Sequence, residues 1–88
     1  MQNVIKLLTS QACPYCMRAR EVLKKLAKER KDVLVIELSV NTDEGMKEAL
    51  KYGINKVPSI IVNDKFVVRG VPTIDDLKRI LEVSVWKM

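Results

Sequence analysis

The stretch SQACPYC, residues 10–16, joins two segments of different character. Residues 4–9 before it are mostly apolar and compatible with a strand, so we predict a buried β-strand there. After this stretch, apolar residues recur every three or four positions, the spacing of one helix face: Cys16, Ala19, Val22, Leu23, Leu26 and Ala27. We predict a helix that starts near Cys13, with Pro14 in its first turn, where the missing N–H group costs nothing.

This position decides the chemistry of the two cysteines. A C-x-x-C pair between a strand and a helix is typical of redox proteins, and side chains three apart on a helix lie on one side, within bridging reach. Cys13 is at the positive end of the helix, so we expect its pKa to fall below the free value of about 8.5. Cys16 joins the apolar face and should be more buried. We predict that Cys13 attacks a substrate disulfide and that Cys16 resolves the mixed disulfide.

A second strand and a second helix follow. Residues 33–40 are mostly apolar and are predicted to form a buried strand. Asn41 or Thr42 can cap a short helix with acidic residues in its first turn, where the helix dipole favours them. Gly53 suits the end of that helix.

The last part of the chain has a hairpin pattern and one more helix. Residues 57–62 and 65–69 are predicted strands on either side of the turn signal Asn63-Asp64. Thr73 can cap a final helix.

The predicted order is therefore β-α-β-α-β-β-α, an α/β fold with a four-stranded mixed sheet flanked by three helices. The first two strands should be parallel, because a helix connects them, and the hairpin adds antiparallel strands. The length of 88 residues allows a single domain, 1–88.

The counts of cysteine and histidine exclude several kinds of site. With no histidine and two cysteines, the chain cannot by itself build a Cys/His zinc site, which needs four ligands. A histidine-dependent catalytic triad is excluded as well. Two cysteines three positions apart do not staple distant segments, as a structural disulfide framework does.

The sequence also bears on location and on partners. No stretch approaches the roughly 20 apolar residues that cross a bilayer, and residues 1–9 lack the pattern of a signal peptide. We expect a cytoplasmic protein, in a compartment where a close cysteine pair is catalytic or metal-binding more often than structural. Aromatic residues make up 5% of the chain and no nucleic-acid-binding motif occurs, so we expect neither nucleic acid nor membrane as a partner.

The net charge of +5 is unevenly distributed. Residues 1–31 hold eight basic and two acidic residues, a net charge of +6, and the rest of the chain has a net charge of −1. Many of the basic residues belong to the first predicted helix, opposite its apolar face: Arg18, Arg20, Lys24, Lys25, Lys28, Arg30 and Lys31. Such a face is either ordinary solvated surface or a surface that steers acidic partners and, chiefly through Arg18, helps to hold the thiolate.

The motif Cys13-Pro14-Tyr15-Cys16, the later Val57-Pro58-Ser59 and the order of elements together resemble a small thioredoxin-fold protein of the glutaredoxin type. The resemblance covers nearly the whole chain. It implies that Pro58 is cis and packs against the cysteine pair, and that the backbone of Val57 pairs with an extended substrate segment. From general physics an X–Pro bond is cis in only about 5–6% of cases, so the cis geometry is expected from the resemblance alone.

We assign further candidate roles around the pair. Pro14 and Tyr15 lie between the cysteines and are candidate substrate contacts, and Gly70 suits a turn or a close approach to substrate. Arg18 and Lys56 are candidate auxiliary cations for the thiolate.

Three positions depart from glutaredoxins that bind glutathione. Such proteins usually have Lys three residues before the first cysteine, where this chain has Ser10, and Thr before Val-Pro, where it has Lys56. They usually have a Gly-Gly pair where this chain has Gly70-Val71. Each change weakens the prediction of a glutathione site, although Lys56 and Arg69 could attract the carboxylates of glutathione.

Other positions depart from thioredoxins, which usually have Trp before the first cysteine and a buried Asp on the preceding strand. This chain has Ala12 and Leu7 there. We favour a thiol-disulfide oxidoreductase that reduces protein disulfides and is recharged by a thioredoxin-reductase-like protein or another dithiol, without a cofactor. A glutathione-dependent glutaredoxin is the alternative within this class.

A metal carrier is the alternative from another class. Copper chaperone domains of similar size also place C-x-x-C after a first strand, but they usually have a different element order and a Met before the motif, where this chain has Gln11-Ala12. A dimer could also bridge an iron–sulfur cluster through Cys13, since four thiolates can come from two chains.

Overall fold

The computed structural model describes the backbone of residues 2–86 and the side chains of residues 2–83. The elements follow one another in the predicted order: β1 (Asn3–Thr9), α1 (Cys16–Glu29), β2 (Val33–Ser39), α2 (Asp43–Lys51), β3 (Ser59–Val62), β4 (Phe66–Arg69) and α3 (Ile74–Trp86). The predicted fold class is confirmed, with a four-stranded mixed sheet and three helices.

The sheet has the strand order β2-β1-β3-β4. β1 pairs with β2 in parallel, as the helical connection predicts, and with β3 antiparallel. β3 and β4 form the predicted antiparallel hairpin. In the register of β1 with β3, Leu8 lies opposite Ser59, so the residues after β1 and the residues before β3 leave the sheet at the same end.

Helices cover both faces of the sheet. Side chains along a strand alternate between the two faces, so β1 contributes to a core on each side. Ile5 and Leu7 pack with apolar residues of α1 and α3, including Leu23 and Leu77. Leu8 faces the other way and packs in a second cluster with α2. Full burial of each of these leucine side chains contributes about 1.5–3 kcal/mol. β1 therefore carries buried apolar residues on both of its faces, with Lys6 as the charged exception.

Local signals set most element ends where we predict them. The Thr42 hydroxyl accepts a hydrogen bond from the backbone N–H of Gly45 at 3.1 Å, so Thr42 rather than Asn41 caps α2. Gly53 follows α2 with a φ of 64°, a left-handed conformation that suits glycine. The Thr73 hydroxyl likewise accepts from the N–H of Asp76 at 3.1 Å.

The hairpin turn is also as predicted. Asn63 and Asp64 have φ values of 51° and 57°. Positive values at both central residues define the turn type whose twist matches that of the flanking strands.

Two element starts differ from our predictions by two residues or more, and proline explains both. α1 starts at Cys16 rather than near Cys13, because the residue before Pro14 is pushed out of the helical conformation. The first helical hydrogen bond runs from the N–H of Ala19 to the carbonyl of Tyr15, at 3.2 Å. β3 starts at Ser59 rather than at residue 57, because Pro58 has no N–H group for a strand ladder.

Gly45 allows α2 to lie directly against the end of β2. A Cβ atom placed on Gly45 would lie 1.9 Å from the carbonyl oxygen of Ser39 and 3.0 Å from the backbone nitrogen of Val40. Both neighbours are backbone atoms, so rotation of a side chain cannot relieve the clash.

Gly45→Ala should therefore lower the free energy of unfolding by about 1–3 kcal/mol, the usual cost of overpacking. The better helix propensity of Ala, about 1 kcal/mol, does not offset a clash with backbone. Lys47→Ala, at an exposed position of the same helix, is the matched control and should stay within about 0.5 kcal/mol of the parent. Urea denaturation measures both, and equal stability of the two variants would show that α2 does not pack as described.

Candidate active site

The two cysteines lie in the connection between β1 and α1 and form a disulfide, with an S–S distance of 2.03 Å. Cys16, the first residue of α1, is 3% exposed and packs into the protein. Cys13 is half-buried in the turn before the helix. Of the two cysteines, Cys13 is the one that another molecule can reach more readily.

The late start of α1 corrects our placement of Cys13 within the helix. Cys13 lies three residues before the first helical residue, but its sulfur is bonded to the sulfur of that residue. It therefore remains close to the N-terminal end of α1, where the unpaired N–H groups and the helix dipole favour a negative charge. The electrostatic argument for a thiolate at Cys13 holds in this corrected geometry.

An aromatic ring and a cation flank the pair on its solvent side. Pro14, Tyr15 and Arg18 are all exposed. The guanidinium carbon of Arg18 lies 5.8 Å from the centre of the Tyr15 ring, a distance at which a cation is attracted to the face of the ring. This contact holds the Arg18 charge beside the turn that contains Cys13.

A second loop approaches the same end of the sheet. The bond between Val57 and Pro58 is cis, as the family resemblance implies. The Ser59 hydroxyl donates a hydrogen bond to the carbonyl of Lys56 at 2.7 Å, and the N–H of Gly70 donates to the carbonyl of Pro58 at 2.9 Å. The loop is therefore tied down on both sides of the proline.

Gly70 reaches this position with a φ of 85°, and a Cβ atom on it would meet nothing within 4 Å. Its loop follows β4, whose last residue Arg69 pairs with Ser59. The cysteine turn, the proline loop and Gly70 are thus brought to one end of the sheet by the pairing of β1, β3 and β4.

An apolar pocket of about 210 Å³ lies beside this loop. Its walls come from α2, from the end of β2 and from the residues before Pro58. Lys56 and Val57 contribute to it, together with Met46 and Ile54. No local sequence pattern predicts this pocket. The one available signal is Met46, an apolar side chain of α2 that is 48% exposed.

A charged cluster ties α1 to the sheet below the cysteines. Arg20 donates two hydrogen bonds to the carboxylate of Glu37 on β2, at 2.7 and 2.8 Å. These bonds hold the pKa of Glu37 below its ordinary value. The buried Thr9, at the end of β1, donates to the same carboxylate at 3.4 Å. Sequence reasoning missed this cluster, because Glu37 stands alone in an apolar strand.

Within residues 2–86, no group of three or more His, Cys, Asp or Glu side chains is placed to hold a metal ion. None of the helices in this range has the length and apolar character needed to span a membrane.

The geometry agrees with comparisons to known proteins. Residues 3–82 match the family model described as a thioredoxin domain. The chain belongs to the thioredoxin family. It is a thiol-disulfide oxidoreductase, as the cysteine chemistry predicts.

Relatives of this thioredoxin-family chain include a probable thioredoxin from Archaeoglobus fulgidus, 51% identical over 78 residues, which covers 89% of this chain and 85% of the relative. A protein named Glutaredoxin 1 from Salmonella typhimurium is 36% identical over 59 residues, covering 62% of this chain and 68% of that protein. The solution structure of a thioredoxin-like protein from Clostridium perfringens superposes with a TM-score of 0.79 at 25% identity, covering 93% of this chain and 70% of that one. The glutaredoxin alternative is thus the less favoured of the two.

Proposed function

We propose that this protein reduces disulfides in other proteins by dithiol exchange, with Cys13 as the nucleophile. The Cys13 thiolate attacks one substrate sulfur, a Cys13–substrate disulfide forms, and the other substrate sulfur leaves as a thiolate. Cys16 then loses its proton and attacks the sulfur of Cys13. This step forms the Cys13–Cys16 disulfide and releases the second substrate sulfur, so two electrons pass from the protein to the substrate.

The unequal exposure of the two cysteines carries this assignment. Cys13 is half-buried in a turn, whereas Cys16 is 3% exposed at the start of α1. An intermolecular attack needs an accessible sulfur, and an intramolecular one does not. Both sulfurs are near the positive end of α1, which lowers the pKa of a nearby thiol.

We further propose that an extended substrate segment lies along the proline loop. The backbone of Val57 would pair with it, as in strand addition, while Pro58 and Gly70 shape the surface next to the cysteines. Pro14 and Tyr15 would contact the substrate from the other side. The hydrogen bonds to the carbonyls of Lys56 and Pro58 support this role, because they fix the loop before a substrate binds.

Two cations complete the proposed site. Arg18, held over the Tyr15 ring, would stabilise the Cys13 thiolate, since a positive charge favours the ionised thiol. Lys56 is exposed at the rim of the apolar pocket, in the proline loop. It would supply a second positive charge for the thiolate from that loop.

The proposed electron donor is a dithiol protein of the thioredoxin-reductase kind or another dithiol, in the cytoplasm. The departures at Ser10 and Lys56 from glutathione-binding glutaredoxins support this choice, as does the higher identity to a thioredoxin relative than to a glutaredoxin. Glutathione remains the second candidate donor. All of these steps fit within the single domain proposed for residues 1–88.

Replacement of each cysteine by serine should separate the two roles. Cys13→Ser should reduce insulin disulfides no faster than dithiothreitol alone, because the attacking sulfur is gone. Cys16→Ser should stop after the first step and accumulate a mixed disulfide on Cys13. Mass spectrometry of the trapped species identifies the cysteine that carries the substrate. A substrate trapped on Cys16 in Cys13→Ser, with none on Cys13 in the other variant, would reverse the assignment.

The electron donor can be tested with the parent protein. We expect rapid reduction of insulin with dithiothreitol as donor and little turnover when glutathione with glutathione reductase replaces it. A mixed disulfide of glutathione with a small thiol is the matching second substrate. Its rapid reduction with glutathione as donor would contradict the proposed preference and would restore the glutaredoxin assignment.

A further inference from the structure

The outward face of α1 carries four cations, which we call the basic stripe: Arg18, Lys24, Lys25 and Lys28. All four are exposed, and within the described residues none has a carboxylate oxygen at ion-pair distance. Residues three and four apart on a helix are neighbours on its surface, so Lys24 and Lys25 both neighbour Lys28. Arg18 lies on the same side of the helix, seven positions before Lys25, with Glu21 between them.

Two other charges of this helix are paired with residues of neighbouring elements. Arg20 binds Glu37 of β2, and Glu29 pairs with Lys78 of α3 at 3.3 Å. Lys24 also exerts a weaker electrostatic effect on Glu37. Glu21 and Glu29 are the two exposed acidic side chains of α1, against the four cations of the stripe. The positive charge of the stripe is therefore not cancelled within the helix.

The stripe runs away from the redox pair along the helix. Arg18 is two residues after Cys16 and contacts the Tyr15 ring. From Arg18 to Lys28 is ten positions, roughly 15 Å along a helix. Tyr15 and Met17, at the end of the stripe near the cysteines, are 55% and 63% exposed. Tyr, Met and Arg are residue types enriched in protein interfaces.

We infer that the basic stripe is the docking surface for substrate proteins that carry a run of acidic residues beside the disulfide to be reduced. The inference rests on the proposed function, in which Cys13 attacks a protein disulfide, and it adds the substrate class. Two observations carry it: the charge of the stripe calls for an acidic partner, and the stripe is continuous with the exposed residues around the cysteines.

The expected effect is on the rate of association more than on affinity. Complementary charges steer an encounter and set its orientation, and salt weakens this effect. An acidic segment along α1 would bring a disulfide at its end to Cys13. The redox chemistry stays the dithiol exchange described above, so no further reactant is needed.

Synthetic peptides with one intramolecular disulfide test the inference directly. They share the same disulfide ring and differ in a short tail of glutamates, glutamines or lysines. The fully reduced protein is mixed with each peptide, and the second-order rate constant of a single turnover is measured. At low ionic strength the glutamate peptide should react roughly tenfold faster than the glutamine peptide, and the lysine peptide more slowly than both. Near 1 M salt, where the screening length is about 3 Å, the three rates should converge.

Matched charge reversals separate the stripe from net charge. Lys25→Glu/Lys28→Glu and Lys47→Glu/Lys65→Glu each replace two exposed lysines and each change the net charge from +5 to +1. The first variant should lose the preference for the glutamate peptide, and the second should keep most of it. Lys25→Gln/Lys28→Gln should give an intermediate ratio, and circular dichroism confirms that each variant is folded.

Several outcomes would overturn the inference. Equal loss of the preference in both reversal variants would assign it to net charge. No preference in the parent, with normal reduction of the glutamine peptide, would refute the stripe and leave the proposed function intact. No reduction of any peptide would refute the proposed function itself. Tighter stripe-dependent binding of a short single-stranded DNA than of the glutamate peptide would assign the surface to nucleic acid.

Discussion

β1 pairs with β2 on one side and with β3 on the other, and both of its faces are covered by helices. Its two buried leucines, Leu7 and Leu8, pack on opposite faces, so a shift of one residue in the register would turn every side chain of the strand to the wrong side. The register that results places Leu8 opposite Ser59. The cysteine turn after β1 and the proline loop before β3 therefore leave the sheet together, and the rest of the site depends on this pairing.

The chemistry then follows from where α1 begins. Because Pro14 excludes Cys13 from the helix, one cysteine lies in a turn and the other in the first helical residue. This single difference gives the two sulfurs different exposures while the disulfide keeps both near the same helix end. With no histidine in the chain, the helix end and neighbouring cations such as Arg18 are the groups that can favour a thiolate.

Much of the fold could be predicted from the sequence. Each element has a local signal: apolar runs for the strands, three- and four-residue spacing for the helices, and Thr42, Gly53 and Asn63-Asp64 at the ends and turns. α1 starts three residues later than the sequence predicts, because Pro14 suits a first helical turn but keeps Cys13 out of the helical conformation. The cis bond before Pro58 came from the family resemblance, since local physics favours the trans form.

The missed parts of the site are made by residues far apart in the chain. The pocket beside Val57 needs α2, β2 and the proline loop together, and no local pattern encodes that meeting. Arg20 and Glu37 are joined by the packing of α1 on the sheet. The sequence shows the basic helix face, but only the structure shows which of its cations are unpaired. Arg20 is paired with Glu37, and Glu29 is paired with Lys78 of α3 and not with a cation of α1.

Alkylation of the reduced protein tests the central claim, that exposure and the helix end make Cys13 the nucleophile. The dithiol form is treated with a limiting amount of iodoacetamide near neutral pH, and peptide mass spectrometry locates the label. The account predicts that Cys13 carries most of the label while Cys16 remains free. Equal labelling, or label mainly on Cys16, would contradict it.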